Sequence, residues 1–189
     1  HPGIRISVRA LDVNDHAQVF EVFKAFQSEF GQIDRVIINA GLGKGQPTGK
    51  GRFDANLQTA QTNFIAALAQ CEAAVEIFRA QNSGHLVSIA SMSAMRGLGR
   101  NLTTYAATKA GLAHLTEGIR AELMRTPIAV STIFPGYIET ELSSKAQKTP
   151  LMVDTATGCR ALVAAIEREP AKACVPARSE ERRVGKECR

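Results

Sequence analysis

The chain has no tryptophan, and aromatic residues make up only 5% of its 189 residues. An all-β sandwich organised around large rings is a poor fit to that composition. The plentiful Ala and Gly suit tightly packed α/β layers better. No run approaches the roughly 18 consecutive apolar residues that a membrane-spanning helix needs. The four cysteines, Cys71, Cys159, Cys174 and Cys188, show no CxxC spacing. Cys71 and Cys159 lie in apolar helical patterns, so free buried thiols in a reducing, cytoplasmic setting are expected rather than a disulfide framework. His1, His16, His85 and His114 are scattered without metal-ligand spacing, and no metal is expected. Repeats, low-complexity tracts and interdomain linkers are missing too. The 44% hydrophobic content is enough for one domain with a substantial core.

The formal net charge is +5. The last stretch, RSEERRVGKECR from Arg178, has neither apolar periodicity nor turn chemistry, and it resembles the translation of a sequencing adapter. It carries five basic residues against three acidic ones, a net of +2, which leaves +3 for the rest. We therefore expect one domain over residues 1–177 and an artefactual tail over 178–189. With the tail set aside, little remains to favour a nucleic-acid-binding function. The opening HPGIRISVRALDV has no initiator Met and no basic stretch followed by an apolar run, so the chain is expected to enter in mid-fold.

Strand-like and helix-like stretches then alternate. Ile6–Ala10 alternates and reads as a short strand. Asn14 or Asp15 caps a helix carrying Val19, Phe20, Val22, Phe23 and Phe26, and Gly31 ends it. Val36–Ile38 is a continuous apolar run, as a doubly buried parallel strand requires. Residues 41–52 form a Gly- and Lys-rich loop without GxxxxGK[ST], so Lys44 and Lys50 read as solvated. A long helix is predicted over Phe53–Ala80, with a break near its start, and strands over His85–Ala90 and Ile128–Phe134. Helices over Leu102–Met124 and Asp154–Glu169 and a short strand over Ala173–Val175 complete the pattern. This alternation predicts a doubly wound, Rossmann-like parallel sheet, in which ligands sit beyond the carboxyl ends of the strands.

Tyr105-Ala106-Ala107-Thr108-Lys109 is a YxxxK, which places phenol and ammonium on one helix face. A phenol titrates near pH 10, too high for easy proton exchange at neutrality, and a nearby cation lowers that value. A Tyr becomes a usable general acid/base in this way. Alone the motif also fits a surface Lys beside a half-buried Tyr. Ser91 adds to it, because it ends the strand LVSIAS and delivers a hydroxyl to the functional rim. Asn39-Ala40-Gly41 ends the preceding strand and Pro135-Gly136 the following one.

This set resembles the short-chain dehydrogenase/reductase family. INAG at 38–41 is similar to its NNAG strand end, with Ile38 in place of the first Asn. Ser91, Tyr105 and Lys109 match its catalytic Ser, Tyr and Lys, and Asn63 in TNFIAAL matches its helix Asn. PGYIET at 135–140 matches PGxIxT, bringing in Pro135, Gly136, Ile138 and Thr140. Asp12-Val13 matches the pair that touches the adenine, although Asp12 equally fits a helix cap, and Thr140 an N-cap.

The resemblance implies hydride transfer between NADP or NAD and a ketone or alcohol. Tyr105 moves the proton, Ser91 orients the carbonyl, Lys109 lowers the Tyr pKa and binds ribose, and Asn63 holds a relay water. Asn39, Ala40, Gly41, Asp12, Val13, Pro135, Gly136, Ile138 and Thr140 are the expected cofactor contacts. NADP is preferred because reductive members commonly use it. Met92, Met95 and Leu98 point to a substrate with an apolar body. Helices over 57–80 and 102–124, apolar on more than one face, imply a homodimer or homotetramer. The alternative is a non-catalytic dinucleotide-binding regulator on the same fold, against which the intact Ser91, Tyr105, Lys109 and Asn63 argue.

The chain departs from the family in having no TGxxxGxG turn. The expectation is a fold lacking its first two strands and that turn, out of an order 3-2-1-4-5-6-7. Val36–Asn39 would then expose an apolar edge, and the polypeptide by itself would be unstable or inactive.

Overall fold

A computed structural model describes residues 3–139 and 152–176. Helix α1 spans His16–Phe30. Of the two capping candidates it uses Asp15, whose carboxylate accepts the Gln18 N–H at 3.1 Å, and Gly31 closes it at φ 83°. The chain then enters β1 (Arg35–Ile38), followed after the Gly-rich loop by α2 (Phe53–Ala60) and α3 (Ala66–Gln81). Strand β2 (Gly84–Ile89), helix α4 (Thr103–Leu123), strand β3 (Ile128–Pro135), helix α5 (Thr155–Glu167) and strand β4 (Lys172–Val175) follow in turn. The turn from α3 into β2 depends on Gly84 at φ 147°, where a Cβ would come 2.2 Å from the Phe78 ring.

The four strands are parallel and lie in the consecutive order β1-β2-β3-β4. Leu86 and Val87 are neighbours on β2, both fully buried, and they point to opposite faces. Leu86 packs with Ala74, Phe78 and Leu112 of α3 and α4. Val87 packs with Ala165 and Ile166 of α5. Strand β2 is thus covered on both sides, and each such Leu or Val contributes about 1.5–3 kcal/mol by leaving water; β1, expected to be doubly buried, is an edge strand instead. Among the described residues no helix is long and apolar enough to cross a membrane.

The Ile6–Ala10 expectation needs correction. Ile6–Ala10 is not a strand, with Ile6 81% and Val8 86% exposed. A strand requires a hydrogen-bonded neighbour. The segment is held instead by side chains: Arg5, Ser7 and Arg9 all bond Glu29 of α1, and the two guanidiniums lie over Phe30 and Phe26. The helix over Phe53–Ala80 has the expected break, a π-helical turn, Gln61–Ile65, that separates α2 from α3. At the sheet edge the expected exposure is present. Ile37 of β1 is 48% exposed and borders a groove of about 270 Å³ lined by Phe23, Phe26, Phe30, Ile33 and Val36. Among the described residues the sheet has four strands in consecutive order, which fits the incomplete sheet expected.

Candidate active site

Because the strands are parallel, the ends of β1, β2 and β3 reach one rim. Asn39, Ala40 and Gly41 follow β1, Ser91 follows β2, and Pro135 closes β3. Ala90 remains in the sheet, its N–H donating to the Ile133 carbonyl at 2.8 Å. Ser91 stands just beyond it, extended, and accepts the Ser93 N–H at 3.1 Å at the start of a 3-10 turn over Met92–Met95. Its side chain interacts with the Tyr105 phenol in a way that pulls the phenol's pKa down.

Tyr105 lies in the first turn of α4, and Lys109 one turn further on. Lys109 is only 5% exposed. Its ammonium donates to the carbonyl of Ile89, the last residue of β2, at 2.7 Å. The same strand end therefore anchors the cation and presents Ser91. Burial pulls the Lys109 pKa down to about 8. The Tyr105 phenol is pushed up from its ordinary value by burial, which outweighs the bond from Ser91. In this geometry the ammonium is bonded to Ile89, and Ser91 is the group that opposes the burial.

Asn63 sits in the π-helical turn, fully buried. A π turn carries one extra residue in the helical coil and often marks a functional position. Here it brings the Asn63 amide onto the loop after β1. Oδ1 accepts the Leu42 N–H at 2.7 Å, while Nδ2 donates to the Leu42 carbonyl at 2.9 Å and to Thr108 Oγ1 at 3.4 Å. The Thr108 hydroxyl donates to the Tyr105 carbonyl at 2.8 Å. A Cβ on Gly41 would meet Asn63 Oδ1 at 3.3 Å and Lys109 Nζ at 3.5 Å, so Gly41 leaves open the approach to the ammonium. Ser91, Tyr105, Lys109, Asn63 and Gly41 thus converge from four separate segments.

The model of the family described as short chain dehydrogenase matches residues 2–151. An uncharacterised oxidoreductase of Mycobacterium tuberculosis is 51% identical over 176 residues, covering 93% of this chain and 70% of its own length. The chain belongs to the short-chain dehydrogenase family. An uncharacterised oxidoreductase of Staphylococcus aureus is 32% identical over 139 residues, 74% of this chain and 60% of its own. A short-chain dehydrogenase from Burkholderia cenocepacia in complex with NADP is 25% identical with a TM-score of 0.83, covering 95% of this chain and 75% of that one. Levodione reductase, 24% identical with a TM-score of 0.80 over 92% of this chain and 77% of its own, shares the fold.

This short-chain dehydrogenase is thus an NAD(P)-dependent oxidoreductase. Other residues singled out in its sequence hold the rim together. Asp12 accepts the backbone and side-chain N–H groups of Asn14 at 2.9 and 3.0 Å, which hold its carboxyl below the usual range. Asp12 with Val13 leads into the turn before α1, and Asn14 Oδ1 accepts from Thr62 in the π turn at 3.2 Å. The Gly136 N–H is used on the Val175 carbonyl at 2.8 Å. Ile138 is buried against Gly158, where a Cβ would come 2.6 Å from its Cγ2. Thr140 lies outside the described residues. Thr108 escaped the sequence reading, although its place three residues after Tyr105 on the helix was a usable signal.

Proposed function

We propose that this short-chain dehydrogenase reduces a ketone, or oxidises the matching alcohol, with Tyr105 exchanging the proton at the substrate oxygen. The observation that supports this reading best is the meeting of the Ser91 hydroxyl, the Tyr105 phenol and the buried Lys109 at the end of β2. A bound nicotinamide cofactor supplies or accepts the hydride. Ser91 hydrogen-bonds the carbonyl oxygen and sets its direction. Tyr105 protonates the developing alkoxide, and a phenolate stabilised by the Lys109 charge takes the proton back in the reverse direction. Lys109 has donors beyond the one on Ile89, and these bind the ribose. Asn63, its amide committed to Leu42, supports the proton path between Lys109 and solvent.

NADP is the proposed cofactor, supported by its presence in the Burkholderia cenocepacia relative. Gly41 gives the close backbone approach a dinucleotide needs. Asn39, Ala40, Asp12, Val13, Pro135, Gly136, Ile138 and Thr140 are its proposed neighbours. The substrate is a small ketone or alcohol with an apolar body, resting on the segment that holds Met92, Met95 and Leu98. Assembly as a homodimer or homotetramer through the α2–α3 region and α4 is supported by the exposed Phe53, Leu57 and Ile65.

The test is Tyr105→Phe in the full chain, with turnover followed by nicotinamide absorbance across a panel of ketones. Turnover should fall by about 10²–10⁴-fold, the usual contribution of a general acid/base, while NADPH binding is retained. Equal turnover in wild type and variant would remove Tyr105 from the chemistry.

A further inference from the structure

Asn63 is not alone in gripping the loop after β1. Asn56, in α2, does the same to Gln46: its Oδ1 accepts the Gln46 N–H at 2.8 Å and its Nδ2 donates to the Gln46 carbonyl at 3.1 Å. The seven residues from Asn56 to Asn63 make about two helical turns, so the two amides lie on one side of the α2–π segment. Each satisfies the N–H and the C=O of one loop residue, as a neighbouring strand would. Between the gripped residues, Gly45 is buried against the Asn101 carbonyl, and a Cβ there would come 2.5 Å from that backbone oxygen. Asn101 belongs to the 3-10 turn Arg100–Leu102 that leads into α4. At the other end of the segment Gly41 lies beside Lys109 Nζ. Residues 41–46 therefore run from Lys109 to the entrance of the Tyr105 helix.

Gly41, Gly43 and Gly45 leave this loop little conformational preference of its own. Ordering such a chain carries an entropic cost at every residue, and tethers must offset it. The two asparagines supply paired tethers at positions 42 and 46. None of the proposed chemistry uses Asn56.

We propose that Asn56 is a positioning residue: together with Asn63 it clips residues 42–46 into place as a wall of the carbonyl pocket beside Tyr105, and so governs which substrates fit. This rests on the reductase reading. The Asn63 clip carries Gly41 and the relay, whereas the Asn56 clip acts on the far end of the loop.

Asn56→Ala, Asn56→Asp and Gly45→Ala in the full chain test it by three readouts: amide exchange at Leu42 and Gln46, KM and kcat with a ketone the wild type reduces, and NADPH affinity. In Asn56→Ala the Gln46 amide should exchange about tenfold faster, as loss of a hydrogen-bonded tether implies, while Leu42 stays protected. KM should rise by about threefold to tenfold, with kcat and NADPH affinity within about twofold, because only substrate fit depends on the tether. Asn56→Asp keeps the acceptor for the Gln46 N–H and should recover part of both effects. Gly45→Ala should raise KM by displacing the loop from Asn101.

Unchanged Gln46 exchange in Asn56→Ala overturns the clip. Faster exchange with unmoved KM, or a joint fall in kcat and NADPH affinity, overturns its role in substrate fit. Wild-type protein without Tyr105-dependent turnover removes the reductase reading and this proposal with it. Intact turnover with unmoved KM removes this proposal alone.

Discussion

At the residue scale, Lys109 is a cation held away from water, with the Ile89 carbonyl as its partner and a pKa near 8. An anionic cofactor bound nearby favours the charged form and raises that value again. At pH 8 the free protein holds the Lys109 proton only partly, so NADPH binding should take up protons. Calorimetry in two buffers of different ionisation enthalpy measures this directly. The uptake should fade toward pH 6, where the ammonium is already protonated, and should be absent in Lys109→Met. Zero uptake at pH 8, or uptake that persists in the variant, would detach Lys109 from the cofactor. Tyr105 responds to the same burial in the opposite sense, because its charged form is the anion. Burial therefore draws the two proton affinities apart, favouring the neutral form of each: Lys109 falls from its ordinary 10.5 and Tyr105 rises from its ordinary 10.0.

At the element scale, helices here are made by their caps and by what they pack against. Helix α5 begins at Asp154, whose carboxylate accepts the Thr157 N–H at 2.9 Å, and holds Gly158 one turn in. A mid-helix Gly costs about 1 kcal/mol relative to Ala, so propensity alone argues for replacing it. Packing argues the other way, because Ile138 occupies the space of the missing Cβ. Overpacking of that kind costs about 1–3 kcal/mol and should win. Gly158→Ala is therefore expected to lower the melting temperature, followed by circular dichroism; a rise would mean that the Ile138 segment moves freely. The π turn between α2 and α3 belongs to this scale as well. It carries the Asn63 amide to Leu42 and the Thr62 hydroxyl to Asn14, joining one helix to two loops.

At the scale of the molecule, the end of the sheet opposite the candidate site is tied by a polar network. Arg35 of β1 donates through Nε to His85 Nδ1 of β2 at 2.8 Å and through its other arm to Glu169 at 3.1 Å. Since Nδ1 accepts, Nε2 carries the proton and donates to Ser131 Oγ of β3 at 2.8 Å. Burial holds the His85 pKa below the ordinary 6.5, against the smaller opposing pull of Glu169. The unfolded chain then binds a proton below pH 6.5 that the folded chain refuses. The contribution of His85 is therefore fully present above that pH and is lost as pH falls from 6.5 toward the depressed folded value. The urea midpoint should drop between pH 7.5 and 5.5, and the drop should be smaller in His85→Leu. An equal drop in both proteins would place the acid sensitivity elsewhere.

Local pattern alone determined much of this protein. A cap at Asn14 or Asp15 before an apolar helix, Gly31 after it, continuous apolar runs for parallel strands and YxxxK with a Ser at the preceding strand end were all legible, because each depends on neighbours a few residues away. Tertiary structure decided what depends on partners distant in the chain. Ile6–Ala10 has a strand's alternation, yet a strand exists only where a second backbone lies alongside, and here Glu29 and two aromatic rings take that place. The π character of the break between α2 and α3, the Lys109 bond to Ile89 and the paired Asn56 and Asn63 clips were equally hidden. A hydrogen bond is specified by a separation of about 3 Å in space, and residues 10 to 21 positions apart reach it only after the sheet has brought their elements together.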